Sequence, residues 1–199
     1  QAAAQGLIGF LEPGGGAMRG VVSSLTPAPE LTLGRRLSAR VPKADQVRQR
    51  AEVENILGRL HKQPGVILAD EVGMGKTYVA LGVAYSVAVH SPQGPVMVMV
   101  PANLVDKWEQ DLRSFCELYL DNRRPVKKGE LPAKAVPSDN ALRYGVARHS
   151  VDFLKLLDDP PRERCQMIFL AQGAMSRRQT DRWVRLAIIA EALRRDGRG

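Results

Sequence analysis

The stretch Val66-Ile67-Leu68-Ala69-Asp70-Glu71-Val72-Gly73-Met74-Gly75-Lys76-Thr77 decides how the rest of the chain is read. Its first four residues are a short, continuously apolar run, the pattern of a parallel strand buried on both faces. After it, Thr77 to Val89 reads as an apolar helix ended by His90-Ser91-Pro92-Gln93-Gly94-Pro95. The turn between them carries two glycines and a lysine, and that combination suits a triphosphate. A loop that wraps a polyphosphate must expose backbone N–H groups with no side chains in the way, which Gly73 and Gly75 allow. The helix starting near Lys76 aims its N–H groups and positive dipole end at the same oxygens. Lys76 adds a point charge over the outer phosphates, and the Thr77 hydroxyl can ligate Mg²⁺. Each charge-assisted hydrogen bond of this kind contributes about 1.5–3 kcal/mol. A strict phosphate loop reads GxxxxGK[ST], and Asp70 stands here at the first glycine. The strand-to-helix context carries the reading despite that departure.

Outward from this loop the order repeats. Val96-Met97-Val98-Met99-Val100 is a second apolar strand stopped by Pro101, and Asn103 is placed to cap a following helix. Asp106 falls near that helix's positive end, while Leu104, Trp108, Leu112 and Phe115 recur at helical spacing and mark Trp108 as a core residue. Strand, helix, strand, helix is βαβα order, which predicts an α/β fold with a parallel sheet flanked by helices. Upstream, Val47, Ala51, Leu57 and their neighbours predict a helix over 46–61 with Asp45 as N-cap. Residues 1–44, with Pro13-Gly14-Gly15-Gly16, Pro27 and Pro29, read as an extension or small appendage, and residues 45–199 as the lobe itself. Downstream, residues 121–140 read as a long exposed connection, 141–157 as a helix, and Met167-Ile168-Phe169-Leu170 as a third strand. A last amphipathic helix is outlined by Trp183, Leu186, Ala187, Ala190 and Leu193.

With 199 residues, 44% hydrophobic and 25% charged, the chain has the composition of a globular protein with a sizeable core. Its longest apolar runs fall short of the ~20 residues a membrane-spanning helix needs, so no membrane partner is expected. Cys116 and Cys165 stand far apart without CxxC partners, and the three histidines are scattered. That pattern predicts a reducing, cytoplasmic compartment and no structural metal. Gln1 stands where a methionine would open a complete chain, which reads as a fragment or processed form. The net charge of +8 is uneven: residues 121–199 carry 17 basic and 10 acidic side chains, a surplus that fits either a solvated face or a phosphate-backbone footprint.

Ile67 through Thr77 resembles motif I of the SWI/SNF-like ATPases of helicase superfamily two, which also begins with Asp at the usual glycine. The Asp70-Glu71-Val72 form looks most like the bacterial RapA/HepA branch. Val98-Met99-Val100-Pro101-Ala102-Asn103-Leu104-Val105-Asp106-Lys107-Trp108-Glu109 is similar to motif Ia of the same family. The resemblance implies a RecA-like phosphate-loop NTPase lobe, incomplete at its C-terminal end. Asp70, Glu71, Gly73, Met74, Gly75, Lys76 and Thr77 would bind ATP, with Lys76 catalytic and Thr77 on Mg²⁺. Pro101, Ala102, Asn103 and Lys107 would face nucleic acid, most simply double-stranded DNA. The family reads adenine with a glutamine upstream of motif I, for which Gln46 and Gln49 both stand available and Gln49 lies nearer the expected distance.

One departure is large. Hydrolysis in the family needs an acidic pair after an apolar strand to hold Mg²⁺ and orient water, and no segment here matches it. The implied activity is therefore that of the N-terminal lobe of a DNA-dependent ATPase or translocase, poorly active alone. Its partner in a bacterium could be RNA polymerase or another DNA-bound protein. Two other readings stay open: a phosphate-loop kinase or regulatory NTPase, and a non-catalytic adaptor that retains the nucleotide fold.

Overall fold

The computed structural model describes residues 7–9, 25–35, 41–69, 73, 75–90, 94–130, 140–160, 163–176, 186 and 189–190. Its elements are β1 (Leu7–Gly9), α1 (Lys43–Leu60), α2 (Lys76–His90), β2 (Val96–Val100), a 3-10 turn (Ala102–Leu104), α3 (Val105–Tyr119), β3 (Arg124–Lys127), β4 (Ala141–Ala147), α4 (Ser150–Leu157), β5 (Met167–Ala171) and α5 (Gln172–Ser176). The sheet runs β1-β2-β5-β4-β3. Four strands are parallel, with Val98 opposite Phe169 and Tyr144 opposite Met167, and β1 is added antiparallel on the outside of β2. The architecture is α/β, a RecA-like lobe with a central parallel sheet and helices on it.

β2 and β5 are where apolar runs predict them, because a strand covered on both faces needs little more than length and apolarity. Every residue of β5 is buried. Trp108 of α3, 5% exposed, packs its ring 6.4 Å from Phe169, so it belongs to the core as its spacing predicts. Among the described residues no helix is long and apolar enough to cross a membrane.

Several expectations need correction. Val66–Ala69 is not a strand: the run is irregular and Ile67 is 92% exposed. An apolar run becomes a strand only when a neighbour completes its hydrogen bonds, and the outer edge of β2 is taken by Leu7–Gly9. The segment expected to be a helix over 141–157 divides instead. Ala141–Ala147 is β4, wedged between β3 and β5, and only Ser150–Leu157 is helical. Gly145 makes that division possible, since a Cβ there would lie 2.6 Å from Leu156 Cδ1 where α4 packs on the strand. The expected connection over 121–140 contains β3, whose Pro125 is tolerated because the strand is at an edge. Neither proposed cap is used. α1 starts at Lys43 after Pro42, with Asp45 in its first turn, and Asn103 lies within the 3-10 turn, leaving Leu104 as the residue before α3. The expected helix around Trp183 falls mostly outside the described residues.

Residues 25–35, read from sequence as part of an appendage, are packed into the lobe. Ala28, Leu31 and Leu33 are fully buried. The Ala28 N–H donates to Ser86 Oγ at 3.0 Å, the Thr32 N–H donates to the Tyr119 carbonyl at 2.8 Å, and Arg50 Nη1 donates to the Leu31 carbonyl at 3.1 Å. Arg123 clamps Glu30 at 2.8 Å. This strap joins α1, α2 and the end of α3.

Candidate nucleotide site

α2 begins at Lys76, directly after Gly75, and the Gly75 carbonyl accepts from the N–H groups of Tyr78 (2.9 Å) and Val79 (3.2 Å). Gly75 thus closes the first helical turn. Both loop glycines are in the left-handed region, Gly73 at φ +91° and Gly75 at φ +76°, which a side chain would disfavour. Their surroundings differ. Among the described residues nothing lies within 4 Å of the position a Gly73 Cβ would take, so no described side chain covers that backbone. At Gly75 the same position is only 2.1 Å from Gln49 Nε2. No acidic residue occupies the first turn of α2, so its positive end is not offset by a carboxylate there. Lys76 and Thr77 are half-buried in that turn. Asp70, Glu71, Val72 and Met74 lie outside the described residues.

The two glutamines that sequence leaves open are separated by geometry. Gln46 is fully buried and donates its amide to the Val41 carbonyl at 2.7 Å, at the start of its own helix. Gln49, 3% exposed, is brought to the loop. Its Oε1 is buried with no hydrogen-bond partner among the described residues, a condition that costs about 1–3 kcal/mol unless a ligand supplies a donor. An orphaned acceptor on a side chain packed against Gly75 at a helix start, with Gly73 uncovered two residues earlier, fits a nucleotide: phosphates on the loop and an amine-bearing base near Gln49.

A second group of predicted residues lies at the carboxyl end of β2. Pro101, Ala102 and Asn103 form the turn into α3, with Ala102 and Asn103 exposed, and Lys107 is exposed on α3 and bonded to Asp111 at 2.7 Å. Sequence reasoning missed Arg148 and His149, both exposed just past β4. Arg148 is ion-paired with Asp106 in the first turn of α3. The helical reading of 141–157 hid them, and a basic pair following a strand would have been the signal.

Sequence reasoning also missed a buried charge cluster behind this edge. Glu109, 8% exposed, accepts from Lys127 at 2.8 and 3.0 Å, from the Tyr144 hydroxyl at 2.9 Å and from Arg113 at 3.1 Å. Burial raises the Glu109 pKa, but the hydrogen bonds from Lys127, Tyr144 and Arg113 outweigh it and hold the carboxyl below its usual value. Burial, and then the Glu109 carboxylate, push the Tyr144 hydroxyl upward. The cluster braces α3 against β3 and β4.

Comparison with known proteins settles the kind of segment that holds the loop. Residues 48–124 match the SNF2-related domain family. These residues are SWI/SNF-like, of helicase superfamily two. Among curated relatives, the SWI/SNF-related matrix-associated actin-dependent regulator of chromatin subfamily A containing DEAD/H box 1 of Xenopus tropicalis is 40% identical over 63 residues, 31% of this chain and 6% of the relative. Protein CHROMATIN REMODELING 19 of Arabidopsis thaliana is 38% identical over 68 residues, 33% of this chain and 9% of the relative. Chromatin-remodeling ATPase INO80 of Aspergillus oryzae is 44% identical over 50 residues, 25% of this chain and 4% of the relative. The aligned stretches of this chain thus span less than a tenth of these relatives' length, and the relatives do not single out the bacterial RapA/HepA branch. No solved structure matches the chain.

Proposed function

We propose that the chain is the ATP-binding part of the N-terminal lobe of a DNA-dependent ATPase or translocase of the RapA/HepA branch, working in a bacterial cytoplasm on duplex DNA and its bound proteins, RNA polymerase among them. One observation carries the reading: two left-handed glycines precede α2 at Lys76 inside the SNF2-related segment, with Gln49 packed against the second, Gly75. The loop N–H groups and the start of α2 take the phosphates, and Lys76 neutralises charge on the outer ones. Gln49 orients the base through its orphaned oxygen. Mg²⁺, when bound, polarises the terminal phosphate, and Thr77 is the residue of this chain that would ligate it. The described strands β4 and β5 lead into Arg148-His149 and Gln172-Gly173, not into an acidic pair. Binding is therefore the property to measure in this chain, and turnover the property to measure where an acidic pair is also present.

A fluorescent ATP analogue titrated with Mg²⁺ tests the site. Replacing Lys76→Ala removes a charge-assisted contact worth about 1.5–3 kcal/mol, which weakens binding roughly 10- to 150-fold. Unchanged affinity in that variant overturns the nucleotide site. Nucleotide binding retained in a chain that ignores duplex DNA at every salt concentration would favour a regulatory NTPase instead.

A further inference from the structure

β2, β5 and β4 are neighbouring parallel strands, so their carboxyl ends open on one edge of the sheet. The residues that follow them there are Pro101-Ala102-Asn103, Gln172-Gly173 and Arg148-His149. With strands about 4.8 Å apart, the turns after β2 and β4 are roughly 10 Å from one another across β5. Among the described residues, Asp106 and Arg148 are the one ion pair across that gap, although they are 42 residues apart in sequence. Their side chains are 74% and 46% exposed.

We propose that Asp106 and Arg148 form a charge latch on a phosphate-backbone track: the carboxylate holds Arg148 until a phosphodiester group of nucleic acid takes its place. The inference rests on the nucleic-acid reading above and adds a residue and a means of regulation to it. Its physical basis is the ease of exchange. A pair this exposed is worth little in water, whereas a duplex offers a line of phosphates whose condensed counterions are released when an arginine replaces them. Arginine also grips a phosphate through two parallel N–H bonds, which the single Asp106 contact does not exhaust. Lys127 lacks this freedom, because its partner Glu109 is buried and shared with Tyr144 and Arg113. Asp106, although repulsive to a polyanion, remains favourable in the empty state through Arg148 and through the positive end of α3.

The test is fluorescence anisotropy of a labelled duplex oligonucleotide with the full 199-residue chain across a salt series. The latch predicts opposite signs for its two halves. Arg148→Ala weakens binding and makes the salt slope shallower by about 0.9, Arg148→Lys retains most of the affinity, and Asp106→Asn tightens binding up to about fivefold at low salt. The gain from Asp106→Asn vanishes when Arg148 is already alanine. A gain that persists in the double variant is plain loss of a negative charge and overturns the latch. Equal losses in both single variants, matched by lower melting temperatures, mean a structural strut and also overturn it. Wild-type chain that fails to bind duplex at low salt overturns the nucleic-acid reading and the latch together.

Discussion

Substituting Gly75→Ala probes the loop where its backbone conformation and its packing meet. The residue sits at φ +76°, and moving a residue with a Cβ into the left-handed region costs about 1–2 kcal/mol. The new methyl would lie 2.1 Å from Gln49 Nε2 and 3.0 Å from its Cδ. Gln49 is buried and must leave its rotamer, adding about 0.5–1.5 kcal/mol. The sum, about 1.5–3.5 kcal/mol, appears as lost stability in urea melts and, because Gln49 is pushed off the loop, as weaker binding of a fluorescent ATP analogue. A double-mutant cycle isolates the contact. Placing Gln49→Ala in the Gly75→Ala background relieves the clash but not the backbone strain, so the two changes should couple by about 0.5–1.5 kcal/mol. A Gly75→Ala chain as stable as wild type refutes the left-handed turn, and zero coupling refutes the contact with Gln49.

Two further substitutions test the frame behind the site. Glu109→Gln removes the charge that Lys127 and Arg113 share, and a loss of about 1.5–3 kcal/mol is expected at neutral pH. Because the Glu109 pKa is lowered on folding, its stabilisation is complete above the ordinary carboxylate pKa and fades as pH falls through the depressed folded value. The variant should therefore lose less stability than wild type between neutral pH and about pH 3, measured by thermal melts in a buffer series; parallel pH profiles would contradict the cluster's role. Gly145→Ala places a methyl 2.6 Å from Leu156 Cδ1 and should cost about 1–3 kcal/mol by overpacking. An unchanged melting temperature would mean that α4 does not press on β4 at that point.

What the sequence makes legible follows the range of the forces involved. The start of α2 after Gly75 is readable because glycine supplies the left-handed backbone ahead of it, and β2 because a strand buried on both faces needs no pattern beyond apolarity. α1, α2 and α3 follow from local periodicity, and so does the burial of Trp108. β4 is not legible, since its strand character comes from two neighbours, one of them β5, more than twenty residues later. Val66–Ala69 fails in the opposite sense: it has strand composition and no described partner to pair with. The choice between Gln46 and Gln49 depends on which helix face meets Gly75, and the Glu109 cluster and the Asp106–Arg148 pair depend on residues brought together from distant segments.

The strap over residues 25–35 shows that the unit shared with relatives and the unit that folds have different borders. The family match begins at residue 48, inside α1, yet Leu31 and Leu33 are sealed in the interior some fifteen residues earlier. Their burial alone is worth roughly 3–6 kcal/mol, a large share of a lobe's net stability. A chain trimmed to the shared motifs would keep Gln49 and the Gly75-Lys76 helix start and still leave a greasy trench along α1 and α2, a surface that invites aggregation.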